Sequence, residues 1–131
     1  NVSTILSLLE QVEVFEKERL ESIKSRLRNK LTKLVSSEEY DRNRFEQELI
    51  YYLERMDFTE EKVRLRSHCD YFLKVMKEND SNGRKLNFIS QEMGREINTL
   101  GSKANHAAIQ KLVVQMKDEL EKIKEQLLNV L

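Results

Sequence analysis

Proline and tryptophan are both absent from the 131-residue sequence, and only three glycines occur in it. A sequence with so few helix breakers and 35% charged residues favours long helices, because little in it interrupts them. Neither sign of charge predominates, since 23 lysines and arginines balance 23 aspartates and glutamates. Any bound nucleic acid therefore has to be held by a local cluster of positive charge.

Cysteine, long apolar runs and the common catalytic motifs are also scarce or missing. The single cysteine, Cys69, excludes an internal disulfide and fits a reducing compartment. No apolar run approaches about 18 residues and no signal peptide is visible, which predicts a cytoplasmic protein that does not bind membranes. A P-loop and the HExxH, CxxC and GxSxG motifs are absent, so nothing supports a nucleotide-binding, zinc-protease or α/β-hydrolase function.

Apolar residues recur at spacings of three and four along nearly the whole chain. This period predicts an all-α fold of four to five helices in long antiparallel hairpins, forming an extended helical bundle. A break at residues 36 and 37 divides the chain into a long, coiled-coil-like N-terminal helix (residues 1–37) and a C-terminal helical domain (residues 38–131). The predicted helices cover Val2–Val35, about Tyr40–Met56, Thr59–Met76, about Arg84–Lys103 and the tail from Asn105.

Local residue choices predict how some of these helices begin and pack. Thr59 is expected to cap the third helix, and Met76 is expected to face the core together with Leu65, Cys69 and Phe72. Gly83 ends the only clear turn of the C-terminal half, where a left-handed backbone is expected. A small or short residue recurs every seven positions at Asn87, Gly94, Gly101 and Ala108, which predicts a tight helix-packing seam.

The tail carries an apolar stripe with alternating spacings of four and three. Its members are Ile109, Val113, Met116, Leu120, Ile123, Leu127 and Val130. Such a heptad stripe requires a partner helix, and both the long first helix and a second copy of the molecule are suitable. We therefore expect a homo-oligomer whose pairing involves the first helix or the tail.

The segment 83–105 combines this apolar periodicity with an unusually varied polar face. Two guanidiniums, two carboxylates, two amides, two hydroxyls and an amine lie opposite the apolar stripe, whereas a solvated face usually carries interchangeable glutamates and lysines. This diversity indicates a functional site. The simpler interpretation is that Arg95–Glu92 and Glu96–Lys103 are interhelical salt bridges that hold a bundle together.

Three stretches carry a resemblance to a known family. They read GRKLNFISQEMGREINTLGSKAN (residues 83–105), TEEKVRLRSH (59–68) and KDELEKIKEQLLNVL (117–131). They resemble the C-terminal signatures of the YicC/YloC family, regarded as metal-dependent endoribonucleases. The resemblance is strong from about Glu38 to Leu131. Family members carry an N-terminal α/β region that is missing here, so the chain resembles their C-terminal half; the start at Asn1, without a methionine, is consistent with this.

The resemblance implies RNA and a second copy of the chain as partners, with nothing specific to DNA, and a divalent cation such as Mg²⁺ or Mn²⁺. The candidates for catalysis and for metal binding are Glu92, Glu96 and His68. The candidates for binding RNA phosphates are cationic, namely Arg64, Arg66, Arg84, Lys85, Arg95 and Lys103. The supporting polar residues are Gln91, Asn98, Thr99 and Ser102.

Two functions from different classes follow. In the first, the chain is the C-terminal helical domain of an endoribonuclease that binds RNA phosphates and contributes to phosphodiester cleavage. In the second, it is a non-catalytic helical module for oligomerisation or scaffolding, and the activity resides in the missing N-terminal half. Gly94 stands where the family usually has asparagine, so no polar role is assigned to that position. His106 stands where an acid is more common and is left out of the site, at a helix cap or in solvent.

Overall fold

The computed structural model describes residues 1–35, 42–78, 82–104 and 106–130 of the chain. These ranges contain no strand, which confirms the predicted all-α fold and helical bundle. The described ranges contain five helices: α1 (Val2–Val35), α2 (Arg42–Met56), α3 (Thr59–Met76), α4 (Gly83–Lys103) and α5 (Ala107–Val130). The predicted restart of a helix near Glu38 lies outside the described residues.

Four of the helices share one apolar core. α3 packs against α4, α4 against α5, and the beginning of α1 packs against both α5 and α3. In α1, the buried apolar side chains are Val2, Ile5, Leu8, Leu9 and Val12. From residue 20 to residue 30, by contrast, no side chain of α1 is fully buried. The second half of α1 therefore contributes little to the core, although its helical period continues.

The heptad stripe of α5 is covered from within the chain. Its first six members, Ile109 through Leu127, are all buried in this core. The partner helices are α1 and α4, so the requirement for a partner helix is met without a second copy of the chain. Association between copies remains a prediction. The side chain of Val130, the seventh member, lies outside the part of the chain that the structure describes.

The seam of small residues lies where α4 meets α5. A Cβ atom built on Gly101 would lie 3.0 Å from Val113 Cγ1, and one built on Gly94 would lie 3.2 Å from Leu120 Cδ2. Both distances are shorter than an ordinary van der Waals contact, so the two helices approach closely because these positions carry no side chain. The predicted packing seam is thereby confirmed at its two glycines.

Three local predictions are corrected. Thr59 is the first residue of α3 rather than its cap, and the Asp57 side chain accepts hydrogen bonds from the Thr59 backbone N–H (3.0 Å) and hydroxyl (2.5 Å). These bonds lower the pKa of the Asp57 carboxyl, the bond from the hydroxyl having the larger effect. Met76 is exposed, and Val75 takes its place in the core. Gly83 begins α4, and no described glycine has a positive φ.

The C-terminal end of α4 is held by its neighbours. The Gln110 side-chain amide donates to the carbonyl oxygens of Gly101 (2.6 Å) and Ala104 (2.5 Å). From α1, Arg19 donates to the carbonyl oxygen of Lys103 at 3.3 Å. Carbonyls that a helix end leaves without partners are thus satisfied from two other helices. This fixes the end of α4, where the next subsection finds a charged cluster.

Candidate functional site

Three contacts join one edge of α4 to α3. Lys103 Nζ lies 2.7 Å from Glu61 Oε1, and Arg64 Nε lies 3.2 Å from the carboxylate oxygens of Glu96. Near the start of α4 and the end of α3, the Lys85 ammonium lies over the Tyr71 ring, 5.6 Å from its centroid. Residue numbers fall on α3 as they rise on α4, so the helices run antiparallel. We call this row of side chains the α3–α4 seam.

The same antiparallel register places His68 of α3 level with Glu92 of α4. Both side chains are half-buried. His68 makes no hydrogen bond or ion pair with another described residue, and Glu92 has a loose ion pair of 3.8 Å with Arg95 of its own helix. The seam therefore contains two groups able to exchange protons, with the Arg64–Glu96 pair one helical turn away.

Burial within the seam is uneven. The side chains of Glu61 and Glu96 are only 4% and 7% exposed, whereas their partners Lys103 and Arg64 are 34% and 50% exposed. Each buried carboxylate therefore holds a cation that is itself partly exposed. The other two nitrogens of Arg64 form looser ion pairs with Glu60 (3.5 Å) and with Glu61 (3.7 Å) of its own helix. Glu61 Oε2 is buried without a hydrogen-bond partner among the described residues, an arrangement that is rare outside functional or hydrated sites.

The remaining predicted cations lie away from the paired carboxylates. Arg66 turns to the other side of α3 and lies 3.0 Å from Glu13 of α1. Arg84 and Lys85 begin α4, 11 or more residues before Glu96, a distance of about 16 Å at 1.5 Å per residue. Arg95 is exposed on the outward side of α4. Of the predicted cations, only Arg64 and Lys103 have a buried carboxylate as partner.

The predicted polar residues of α4 line its exposed surface. Gln91, Asn98 and Ser102 are exposed, and Thr99 is half-buried. The Thr99 hydroxyl donates to the Arg95 carbonyl at 3.0 Å, and the Ser102 hydroxyl donates to the Thr99 carbonyl at 2.9 Å. Both hydroxyls are thus engaged by their own helix, while the two amides face solvent.

Glu61 was missed as a site residue, although it lies two turns before His68 on the same side of α3 and the sequence shows this spacing. Of the two interhelical salt bridges proposed from sequence, Arg95–Glu92 forms at 3.8 Å but within α4, and Glu96–Lys103 does not form. Lys103 and Glu96 belong to one helix, seven residues apart, and each is paired with α3 instead. Glu96 was identified as a site residue, but the resemblance that named it could not show that its carboxylate faces Arg64.

The remaining reactive side chains lie outside the seam. Cys69 is fully buried, and desolvation raises the pKa of its thiol to about 12, which leaves it a small core residue as predicted. His106 directly precedes α5, and its carbonyl accepts the Gln110 N–H at 2.9 Å, so it occupies the predicted cap position. A cleft of about 560 Å³ lies between α1, α2 and the start of α3, and none of the predicted site residues lines it.

Comparison with known protein families gives a match over most of the chain. The profile of a family described as Endoribonuclease YicC-like, C-terminal, matches residues 12–131. The chain belongs to this family. The match confirms the resemblance noted in the motifs and begins earlier, inside α1. Two of the three stretches that carry the resemblance, residues 83–105 and 59–68, contain α4 and the start of α3, which are the two sides of the seam. The division of the chain at residue 37 remains a prediction.

Two curated relatives are consistent with membership of this family. A protein of Clostridioides difficile named "Probable endoribonuclease YicC" is 38% identical over 123 residues, which cover 93% of this chain and 42% of the relative. A Haemophilus influenzae protein of the same name is 40% identical over 90 residues, which cover 69% of this chain and 31% of the relative. The chain therefore spans less than half the length of these YicC relatives.

Proposed function

We propose that this chain is the C-terminal helical domain of a YicC-like endoribonuclease. In this proposal, the α3–α4 seam binds RNA phosphates and contributes to phosphodiester cleavage. The family match supports the reaction class, because the curated relatives are named as endoribonucleases. Support for the location comes from one structural observation: two cations at the surface are each held by a buried carboxylate.

This arrangement suits phosphate binding for a physical reason. A guanidinium or ammonium fixed in place loses less side-chain entropy when it binds phosphate than a free one does. Glu96 directs one N–H of Arg64, and Glu61 directs Lys103, so the remaining donors are oriented in advance. Because Glu96 is buried against Arg64, its role in the proposal is to position that cation. The proposal assigns proton exchange with the RNA to His68 and Glu92.

The divalent cation implied by the resemblance does not fit the described side chains. In the described part of the chain, no three His, Cys, Asp or Glu side chains come close enough together to hold a metal ion. Glu96, one of the predicted ligands, already faces a guanidinium. The proposal therefore assigns no step to a metal, and any metal dependence requires donors beyond the described residues.

Cleavage of a labelled single-stranded RNA tests the proposal, with Mg²⁺, Mn²⁺ and EDTA compared in parallel. Glu92→Gln and His68→Gln are expected to lower the cleavage rate by about 100-fold or more, which is the usual contribution of a general acid or base. Their melting temperatures should match that of the parent, because neither side chain is in the core. Lys117→Gln, an exposed charge change on α5, is the control and should alter neither quantity. Cleavage by Glu92→Gln and His68→Gln at the parent rate would overturn the proposed role of the seam.

A non-catalytic scaffold is the second candidate, and one observation favours it. Each glutamate of the seam has a cationic partner: Glu61 has Lys103, Glu92 has Arg95 and Glu96 has Arg64. The pairs of Glu61 and Glu96 join α3 to α4, and the pair of Glu92 lies within α4, so all three can be explained by a structural role alone. In that case, no variant of the seam changes cleavage, and substitutions at Glu61 or Glu96 lower stability or assembly instead.

We also propose that copies of the chain associate. Support comes from apolar side chains that the described core leaves exposed, including Leu20, Ile50, Tyr51 and Leu128. Several of them lie on the second half of α1 and on α2, away from the shared core. Sedimentation equilibrium at micromolar concentration is the direct test, with Ile50→Lys as the variant. A parent protein that sediments as a monomer contradicts the proposal.

A further inference from the structure

The outward side of α4 carries a ridge of five exposed residues next to the α3–α4 seam. At 100° per residue, these positions fall within one face of the helix. The ridge residues are Arg84, Phe88, Gln91, Arg95 and Asn98, all of them exposed. The next residue after Phe88, Ile89, is buried in the core, so the exposure of the ring follows from the register of the helix.

Phe88 is the unusual member of this ridge, since its side chain is 61% exposed. A single exposed apolar residue needs no explanation by itself, and the chain has others, such as Val114. What distinguishes Phe88 is its surroundings. Arg84 lies one turn before the ring and Arg95 lies two turns after it, with the Gln91 amide between them.

The charges around the ring are suited to an anion that carries aromatic groups. Arg84 makes no ion pair with another described residue. Among the described residues, the Arg95 side chain has only the 3.8 Å ion pair with Glu92, the one carboxylate of α4 that lies within a turn of Phe88. On the other side, Lys85 lies over Tyr71, which adds a second partly exposed aromatic side chain. Two guanidiniums about 16 Å apart thus flank an exposed ring.

We propose that Phe88 is a stacking platform for an unpaired base of single-stranded RNA, with Arg84 and Arg95 binding phosphates on either side. This inference rests on the proposed function and names the form of RNA that the domain takes. Stacking requires a base whose face is free, which a duplex does not offer, so the ridge selects single strands and loops. The Gln91 and Asn98 amides can then contact base edges.

Fluorescence anisotropy tests the platform with a short labelled 2′-O-methyl oligoribonucleotide, which lacks the free 2′-hydroxyl. Phe88→Ala is expected to weaken binding about 5- to 100-fold, the range typical of one stacked base. Phe88→Tyr should retain the affinity of the parent, because its ring still stacks. Val114→Ala, an exposed apolar residue on α5, is the matched control and should bind as the parent does.

An abasic oligonucleotide of the same length separates stacking from a change in fold. With no base to stack, the parent and Phe88→Ala should bind it equally. Arg95→Gln should reduce the salt dependence of binding to both oligonucleotides by about one phosphate contact, a slope change of about 0.7. Phe88→Ala should leave that slope unchanged.

The possible outcomes distinguish this inference from the function on which it rests. If the parent binds RNA and Phe88→Ala binds equally well, or loses affinity for the abasic strand to the same extent, the platform is wrong and the proposed function stands. If the parent binds neither oligonucleotide and does not cleave RNA, both proposals fail. In that second case, we would interpret the exposed Phe88 ring as a contact for a protein partner.

Discussion

The two sides of α4 pack by different means. Towards α5, the helix presents glycines at positions 94 and 101, and the side chains nearest to them, Leu120 and Val113, are apolar. Towards α3, it presents Lys85, Glu96 and Lys103, each in contact with a polar or charged side chain. Both sides share the apolar core, but α4 meets α5 by close packing at its glycines, whereas on the α3 side a row of charged and polar contacts lies along the edge of that core.

This difference separates stability from function within a single helix. Close packing of apolar groups tolerates little change in volume, so the α5 side is expected to be sensitive to size and insensitive to salt. Buried ion pairs add little net stability but are costly to break, and their exposed members are available to a ligand. Substitutions on the two sides should therefore have different consequences, and the following experiments compare them.

The largest effect is expected for Leu120→Glu on the α5 side. Leu120 is buried next to Gly94, so the substitution places an unpaired carboxylate in the core and should cost several kcal/mol, enough to unfold much of the protein. Urea denaturation followed by circular dichroism measures the loss. Because Leu120 lies in the core of a single chain, this variant reports on folding before it reports on association. A stability equal to that of the parent would show that α5 does not pack as described.

A smaller loss is expected for Lys103→Met on the α3 side. The substitution leaves the buried Glu61 carboxylate without its 2.7 Å partner, at a cost of about 1–3 kcal/mol that solvent near the half-exposed lysine reduces. Arg66→Met is the matched control, because it removes an exposed pair with Glu13 of 3.0 Å and should change stability by less than about 0.5 kcal/mol. Equal losses of stability from the two variants would contradict the conclusion that the burial of Glu61 makes the loss of its partner costly.

The two glycines allow a finer comparison within the α5 side. Gly101→Ala should destabilise by about 1 kcal/mol, because the new methyl group meets the stiff, branched Val113 at 3.0 Å and this outweighs the gain in helix propensity. Gly94→Ala should be close to neutral, since its methyl group meets the flexible end of Leu120 at 3.2 Å. Thermal unfolding of both variants provides the test. Equal stabilisation by both substitutions would show that backbone entropy, rather than contact with α5, decides at both positions.

Another small effect concerns the start of α3, whose position sets the register of the seam. Asp57→Ala removes the acceptor of the Thr59 N–H and should cost about 0.5–1 kcal/mol at neutral pH. Because hydrogen bonds from Thr59 hold the folded pKa of Asp57 below its unfolded value of 3.8, this stability is present above that value. It is lost as the pH falls through the folded pKa. A difference between parent and variant that does not shrink as the pH is lowered below 3.8 would contradict this assignment.

Much of the fold follows from the sequence, because helix formation depends on local periodicity. The predicted bounds of α1 and α3 agree with the structure, and the predicted small-residue seam meets α5 at Gly94 and Gly101. The seam with α3 could not be predicted in the same way. Whether Lys103 meets Glu61 or another acid depends on how two helices align across their connection, and periodicity within one helix does not contain that information. Exposure at Phe88 was visible in the helical period, but its significance depended on the charges around it.

The packing of α1 against α5 has a consequence for the order of folding. α3, α4 and α5 are joined by short connections, so their contacts form between neighbours in the sequence, whereas α1 must find α5 from the opposite end of the chain. Contacts between distant parts of a chain carry a larger loop-closure entropy and tend to form late. We therefore expect α1 to dock after the other three helices have assembled. A substitution at Leu9 should then act mainly by accelerating unfolding, while one at Ile97 should also slow folding.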